Sequence, residues 1–284
     1  LYQISFFSVK IIEVVNALER FAPLPLQEDY DNAGLQVGLT AADVSGALLC
    51  LDVTEQVVDE AVVNGCNLIV SHHPLIFHRL SCISDADYVQ RTVMKAIEHK
   101  VAIVSMHTNL DAAEGGVNFK IAEKLGLCDV RFIGKTQTAT APQPFGAGTP
   151  GTPTEVRGGE GVIGRFAEPK AADDFLLLLK QRFDVECVMA NELLRRPIAT
   201  VALCGGAGDF LLPVAVKAGA DAFLTGEMHY HQYFGYEQRV QIAVIGHYQS
   251  EQYTKEILRD IIQRDCPGVR CVMSAINTNP ILYI

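Results

Sequence analysis

No apolar run in this 284-residue chain approaches the ~18 residues that a membrane-crossing helix requires. The densest stretch, Phe175–Leu179, is stopped by Lys180, so no membrane role is expected. Positive charge is also scarce: 23 Lys and Arg stand against 33 Asp and Glu, a formal charge of −10. Bulk nucleic-acid binding needs a basic footprint and is disfavoured, although a local basic patch stays open. Eight cysteines are present, but no pair is spaced C-x-x-C, so a thiolate zinc site has little support. Cys50, Cys66 and Cys204 lie in or beside apolar runs. They read as buried free thiols, as expected in a reducing cytoplasm. The first residues do not read as a secretory leader, and the sequence does not begin with Met. Leu1–Val9 reads as a cloning remnant or a processed end, and nothing below rests on it.

What is there is globular. Hydrophobic residues make up 49% and charged residues 20%, and the length fits one large domain or two modest ones. Ile11–Phe21 carries apolar residues at helical spacing and ends before Pro23. Ala47–Val53 reads as a strand, with Thr54 capping a helix over Glu55–Asn64 that Gly65 stops. Leu68–Ser71 is the next strand, Val89–Lys100 a helix and Val101–Met106 a strand. Strands alternating with helices in this way indicate a parallel sheet.

The pattern recurs. Thr200–Cys204 is a strand, followed by Gly205-Gly206-Ala207-Gly208, a helix over Phe210–Ala218 stopped by Gly219, and a strand over Ala222–Thr225. At an offset of 154, Cys50 falls on Cys204, Ala61 on Ala215, Gly65 on Gly219 and Ser71 on Thr225. At an offset of 140, Val104 falls on Val244, His107 on His247 and Asp111 on Glu251. The chain therefore reads as a duplicated α/β unit. The expected lobes are 1–130 with 238–284, and 131–237. Between the repeats, Gly134–Gly161 is dominated by Gly, Pro and Thr. It reads as a surface connection, excluded from a regular helix or a central strand. Pro169–Phe183 follows as an amphipathic helix.

Four segments at strand ends hold most of the histidines, where open α/β sheets bind ligands. The first is Ser71-His72-His73-Pro74. Neighbouring residues leaving a strand face opposite ways, so His72 and His73 can serve two neighbouring metal ions, or simply bond to backbone. The second is His107-Thr108-Asn109-Leu110-Asp111, whose carboxylate is a ligand candidate or a turn residue. In Gly246-His247-Tyr248-Gln249-Ser250-Glu251, a helix running to about Arg264 would put His247 and Glu251 on one face. The last, Thr225-Gly226-Glu227-Met228-His229-Tyr230-His231, is the counterpart of the double histidine and suits substrate-facing roles. Imidazole with carboxylate suits Zn, Fe, Mn or Co without choosing among them. Five such ligands shared by two ions about 3.5–4 Å apart leave coordination positions for water.

Five stretches occur in the order seen in the NIF-three-like family. They are Glu28-Asp29-Tyr30-Asp31-Asn32-Ala33-Gly34-Leu35-Gln36-Val37-Gly38, Ser-His-His-Pro-Leu at 71–75, His-Thr-Asn-Leu-Asp at 107–111, Thr-Gly-Glu at 225–227, and Gly-His-Tyr-Gln-Ser-Glu at 246–251. The chain resembles that family, whose members are also named GTP cyclohydrolase I type 2 homologues. Tyr30 stands where the family often has Trp, and the extra middle domain of some members is missing. The resemblance implies two similar α/β lobes and a centre of two divalent ions per chain. It also implies a toroidal homohexamer. Carried over, the metal ligands are His72, His73, Asp111, His247 and Glu251, with Glu251 bridging. His107 and Glu227 match family positions and, with His229, are candidates to move protons.

The leading functional expectation is a metal-dependent hydrolase acting on a small molecule, with GTP ring opening at the purine C8 as one form of the chemistry. The alternative is a non-enzymatic protein that binds metal for regulation, storage or sensing. Nucleic-acid binding ranks third, against the charge of −10.

Overall fold

The computed structural model describes residues 8–143 and 154–284. In chain order its elements begin with α1 (Ile11–Phe21), β1 (Gly34–Val37), β2 (Ala47–Cys50), α2 (Glu55–Val63), β3 (Leu68–Ser71), α3 (Tyr88–Glu98), β4 (Ala102–Ser105) and α4 (Thr108–Ala112). They continue with α5 (Val117–Leu125), β5 (Cys128–Thr140), β6 (Glu155–Lys170), α6 (Ala172–Phe183), β7 (Met189–Ala190), β8 (Ile198–Cys204), α7 (Leu212–Lys217), β9 (Ala222–Thr225) and β10 (Gln241–Val244). The chain ends through α8 (His247–Glu251), α9 (Thr254–Asp265) and β11 (Cys271–Met273).

Two compact units result. The first is Leu1–Asn109, Thr140–Val156 and Lys255–Thr278; the second is Leu110–Ala139, Arg157–Thr254 and Asn279–Ile284. Asp111, His247 and Glu251 belong to the second unit, whereas the repeat read from the sequence assigns all three to the lobe of 1–130 with 238–284.

The first unit holds a sheet of order β1-β4-β3-β2-β11. Strands β2, β3 and β4 are parallel, with Cys50, Ser71 and Ser105 in register. All four residues of each are buried, as expected of parallel strands covered on both faces. Strand β11 runs parallel beside β2, and β1 antiparallel beside β4. The Thr54 side chain accepts a hydrogen bond from Val57 N and starts α2, and Gly65, at φ +63°, ends the turn after it. The apolar core packs Val57, Val58 and Ala61 of α2 and Val93 and Ala96 of α3 with Leu48, Ile69 and Ile103.

The second unit repeats this logic in a sheet of order β5-β6-β8-β9-β10-β7. Here β8, β9 and β10 are parallel, with Cys204, Thr225 and Val244 in register. The match of Cys50 to Cys204 and Ser71 to Thr225 is therefore a match of sheet positions. The chain is an α/β protein of two similar units.

Two expectations change. The ends of Gly134–Gly161 are strand, in β5 and β6, and β6 is interior to its sheet; the part over 144–153 lies outside the described residues. The glycines are compatible with an interior strand because neighbours fill their side-chain space. A Cβ on Gly159 would fall 2.6 Å from a ring carbon of Phe132, and one on Gly161 2.8 Å from the Leu203 carbonyl oxygen. The helix expected from His247 to about Arg264 is two helices, α8 and α9, separated at Gln252 and Tyr253.

Candidate metal centre

In the first unit three imidazoles gather past the carboxyl ends of β3 and β4. His72, His73 and His107 can each offer one ring nitrogen so that all lie within 4.8 Å of one another. Their ring centroids are 4.9–5.4 Å apart. The backbone beneath them is pinned. His72 N and His73 N both donate to Leu51 O, and Ser71 Oγ, itself 2.8 Å from Ser105 Oγ, donates to His73 O. His72 is fully buried.

Each ring has its Nδ1 on an oxygen. His72 Nδ1 lies 2.8 Å from Met106 O. A carbonyl only accepts, so Nδ1 carries the proton and the lone pair of the neutral ring sits on Nε2. His73 Nδ1 lies 2.7 Å from Asp52 Oδ1, and His107 Nδ1 lies 2.7 Å from Asp31 Oδ1. Asp31 also accepts from Thr108 N at 3.1 Å and from the Thr108 hydroxyl, starting α4. Burial raises the Asp31 carboxyl, but His107, Thr108 and the Asn32 amide outweigh it and hold its pKa at about 2. Burial likewise raises Asp52, and His73 and Thr278 bring it below the ordinary carboxylate value.

In the second unit His247 and Glu251 open and close α8. His247 Nε2 lies 3.1 Å from Glu251 Oε2, and His247 Nδ1 lies 3.1 Å from Glu227 Oε1. A neutral imidazole can donate from one nitrogen only. With a carboxyl group at each, the second contact is satisfied by a protonated ring, by a protonated carboxyl or by a cation shared between Nε2 and Glu251. Glu251 is buried. Together with Asp111 it stands near enough to Cys204 to raise that thiol further above its ordinary value, after burial itself. Glycines make the room. A Cβ on Gly206, at φ +57°, would fall 2.3 Å from Glu251 Oε1, and one on Gly226 would fall 2.7 Å from Gly206 O and 3.0 Å from His247 Cα. Ser250 Oγ ties the turn by donating to His247 O and accepting from Gly206 N.

These donors fit divalent metal. Every site imidazole keeps Nδ1 against an oxygen, the outer support that metal-ligating histidines ordinarily have. The carboxylates and imidazoles are donors suited to Zn, Fe, Mn or Co.

The family model described as Duf34/NIF3 (NGG1p interacting factor 3) matches residues 9–280. The chain belongs to this family. It is 30% identical over 249 residues to a Clostridium acetobutylicum protein named GTP cyclohydrolase 1 type 2 homolog, covering 86% of each chain. A Lactococcus lactis protein of the same name is 28% identical, covering 96% of this chain and 98% of its own. Among solved structures, a Staphylococcus aureus hypothetical protein superposes with a TM-score of 0.84 at 28% identity, over 98% of this chain and 100% of that one. A Bacillus cereus protein related to NIF3 gives 0.81 at 25% identity, over 97% and 99%. The fold is therefore the NIF3 fold.

Within this NIF3 protein, the first unit brings His72, His73 and His107 together, and the second brings His247, Glu251 and Glu227 together. His229 lies on the exposed side of Glu227, its side chain 90% exposed and its Nδ1 3.0 Å from Asp209 Oδ2. Sequence reasoning missed the supports. Asp31 lies within the Glu28–Gly38 motif, where sequence alone assigns it no role. Asp52 follows β2 at the same sheet edge as the double histidine, which was an available signal. Thr278 donates to Asp52 Oδ2 at 2.5 Å, and nothing in its local sequence marks it.

Proposed function

We propose that this NIF3 protein is a dinuclear metal-dependent hydrolase in which His72, His73, Asp111, His247 and Glu251 would hold two divalent ions. The observation that carries it is the imidazole arrangement. His72, His73 and His107 offer ring nitrogens within 4.8 Å of one another, each with Nδ1 on an oxygen, and His247 sits between two carboxylates. The ligand set itself comes from the family's motifs.

A divalent ion supplies Lewis acidity and lowers the pKa of water toward neutrality. The chain's own residues supply the rest. The Met106 carbonyl, Asp52 and Asp31 hold three imidazoles in one tautomer. Glu227, 54% exposed and beside His247, is the first candidate to accept a proton from substrate. His107 is the second candidate. His229 has its pKa raised by the hydrogen bond to Asp209, which suits donation to a leaving group. The substrate class carried by the relatives' name is a purine nucleotide whose ring is opened by water. No helix among the described residues is long and apolar enough to cross a membrane. The hexamer belongs to the same proposal, and light scattering on purified protein tests it.

Metal analysis of purified protein is the deciding experiment, with His247→Ala and Asp111→Ala beside the wild type. The proposal expects about two ions per chain, metal loss in both variants, and hydrolysis in a screen of nucleotides, phosphoesters and amides. Wild-type metal content persisting in both variants overturns the ligand set. A metal-loaded protein inert throughout the screen overturns the hydrolase and leaves a metal-handling role.

A further inference from the structure

His73 is supported by a chain of contacts that no motif records. Asp52 sits just past β2 and His73 just past the neighbouring strand β3. Its Oδ1 lies 2.7 Å from His73 Nδ1, and its Oδ2 accepts the Thr278 hydroxyl at 2.5 Å. Thr278 lies 226 residues further along the chain and is brought there by the end of the first unit. Strand β11 pairs with β2, Ser274 N donates to Leu49 O, and Glu60 takes both the Ser274 hydroxyl (2.5 Å) and Ala275 N (2.8 Å). The segment after β11 is thereby clamped onto α2, and three residues beyond Ala275 it meets Asp52. Each carboxylate oxygen of Asp52 thus has a different task, one on the imidazole and one on the clamp.

We infer that Asp52 and Thr278 are positioning residues for His73: Thr278 fixes the Asp52 carboxylate, and Asp52 fixes the His73 ring with its proton on Nδ1 and its lone pair on Nε2. The inference rests on the metal-binding reading above for its consequence, but its geometry stands on the first unit alone. A carboxylate on the far nitrogen does two things for a ligating histidine. It selects the tautomer, and it makes the coordinating nitrogen a better donor. His72 achieves the first with a neutral carbonyl, Met106 O. His73 gains the second as well, because its acceptor is charged. The C-terminal stretch Ser274–Thr278 then becomes part of the metal site rather than a tail laid on the sheet.

The test uses the full chain and Zn2+ as the probe, with affinity read by competition against a chromophoric chelator. The tautomer of His73 is read in metal-free protein by long-range 15N–1H correlation. Asp52→Asn, whose amide oxygen still accepts the Nδ1 proton, is expected to weaken the affinity for one ion by about 10–100-fold, as outer-shell substitutions do, and Asp52→Leu to lose the fixed Nδ1–H form of His73 as well. Thr278→Val should cost about fivefold, the worth of one ordinary hydrogen bond, and Thr278→Ser should restore the wild-type value. A purely structural clamp would lower the melting temperature in the Asp52 and Thr278→Val variants and leave affinity and tautomer untouched, which overturns the inference. Should Asp52→Asn fail to fold, the Thr278→Val and Thr278→Ser pair carries the same decision. Wild-type protein that takes up no Zn2+ fails the metal reading, yet the tautomer measurement still decides whether Asp52 positions His73.

Discussion

The two units end their corresponding strands with different chemistry, and the difference is steric before it is chemical. After β3 the first unit places His72 and His73; after β9 the second places Gly226 and Glu227 at the same offset of 154. A side chain at 226 is excluded, because a Cβ there would meet Gly206 O at 2.7 Å, Ser250 Oγ at 2.8 Å and His247 Cα at 3.0 Å. One strand later the units agree: His107 and His247 each follow the third parallel strand with Nδ1 facing a carboxylate. That carboxylate is Asp31 in the first unit, with a side chain buried completely, and Glu227 in the second, about half exposed. The repeat therefore kept the imidazole at one edge and changed what surrounds it. One copy crowds three rings together, and the other packs the glycine backbone at 206 and 226 close against a single histidine.

The largest effect should come from the crowded side. His72→Ala removes a fully buried ring and leaves Met106 O without its donor. Loss of the ring's packing together with an unsatisfied carbonyl gives a cost of about 3–5 kcal/mol. Urea unfolding of metal-free protein measures it. A cost below about 1 kcal/mol would mean that the ring is held there for ligation alone.

Next is the glycine side. Gly226→Ala inserts a methyl against backbone atoms that cannot rotate away. Overpacking of this kind costs about 2–3 kcal/mol. The same unfolding measurement applies, and a neutral result would remove the steric account of why the double histidine was not repeated.

These elements differ in how legible they were. Leu68–Ser71 and Ala222–Thr225 read directly, because buried parallel strands are short apolar runs bounded by turns. His247 and Glu251 read as partners because four residues is one helical turn, and that spacing survives although the longer helix breaks after Glu251. Gly134–Gly161 misled, since glycine there marks close approach by Phe132 and Leu211 rather than freedom. The Thr278–Asp52–His73 chain was illegible for a different reason. It depends on β11 docking beside β2, a pairing across more than 200 residues that leaves no local pattern.

The two carboxylate supports sharpen the comparison through pH. Asp31 has its pKa depressed to about 2, against an ordinary value near 4. A depressed carboxylate stabilises the fold above its unfolded pKa, and that stability is lost as pH falls through the folded value. The window is therefore about pH 4 down to pH 2, and the full contribution is about 2 kcal/mol. Asp31→Asn should lose this at pH 7 and show a flatter stability profile across that window. Equal slopes for variant and wild type would mean that other carboxylates carry the acid sensitivity.

The smallest effect is expected at Glu227→Gln. Its carboxylate faces His247 across 3.1 Å but is 54% exposed. Water screens such a pair, and exposed ion pairs contribute roughly 0–1 kcal/mol. Asp31 also starts α4 through Thr108, whereas the loop holding Glu227 is fixed by backbone. Gly226 N and Glu227 N both donate to Gly206 O, and Gly246 N donates to Gly226 O. Removing the Glu227 charge should therefore leave stability within about 1 kcal/mol of wild type. If Glu227 moves protons, the same change should depress turnover without altering metal content. A loss of stability as large as that of Asp31→Asn would show that the exposed support is as structural as the buried one, and the contrast between the two copies would fall.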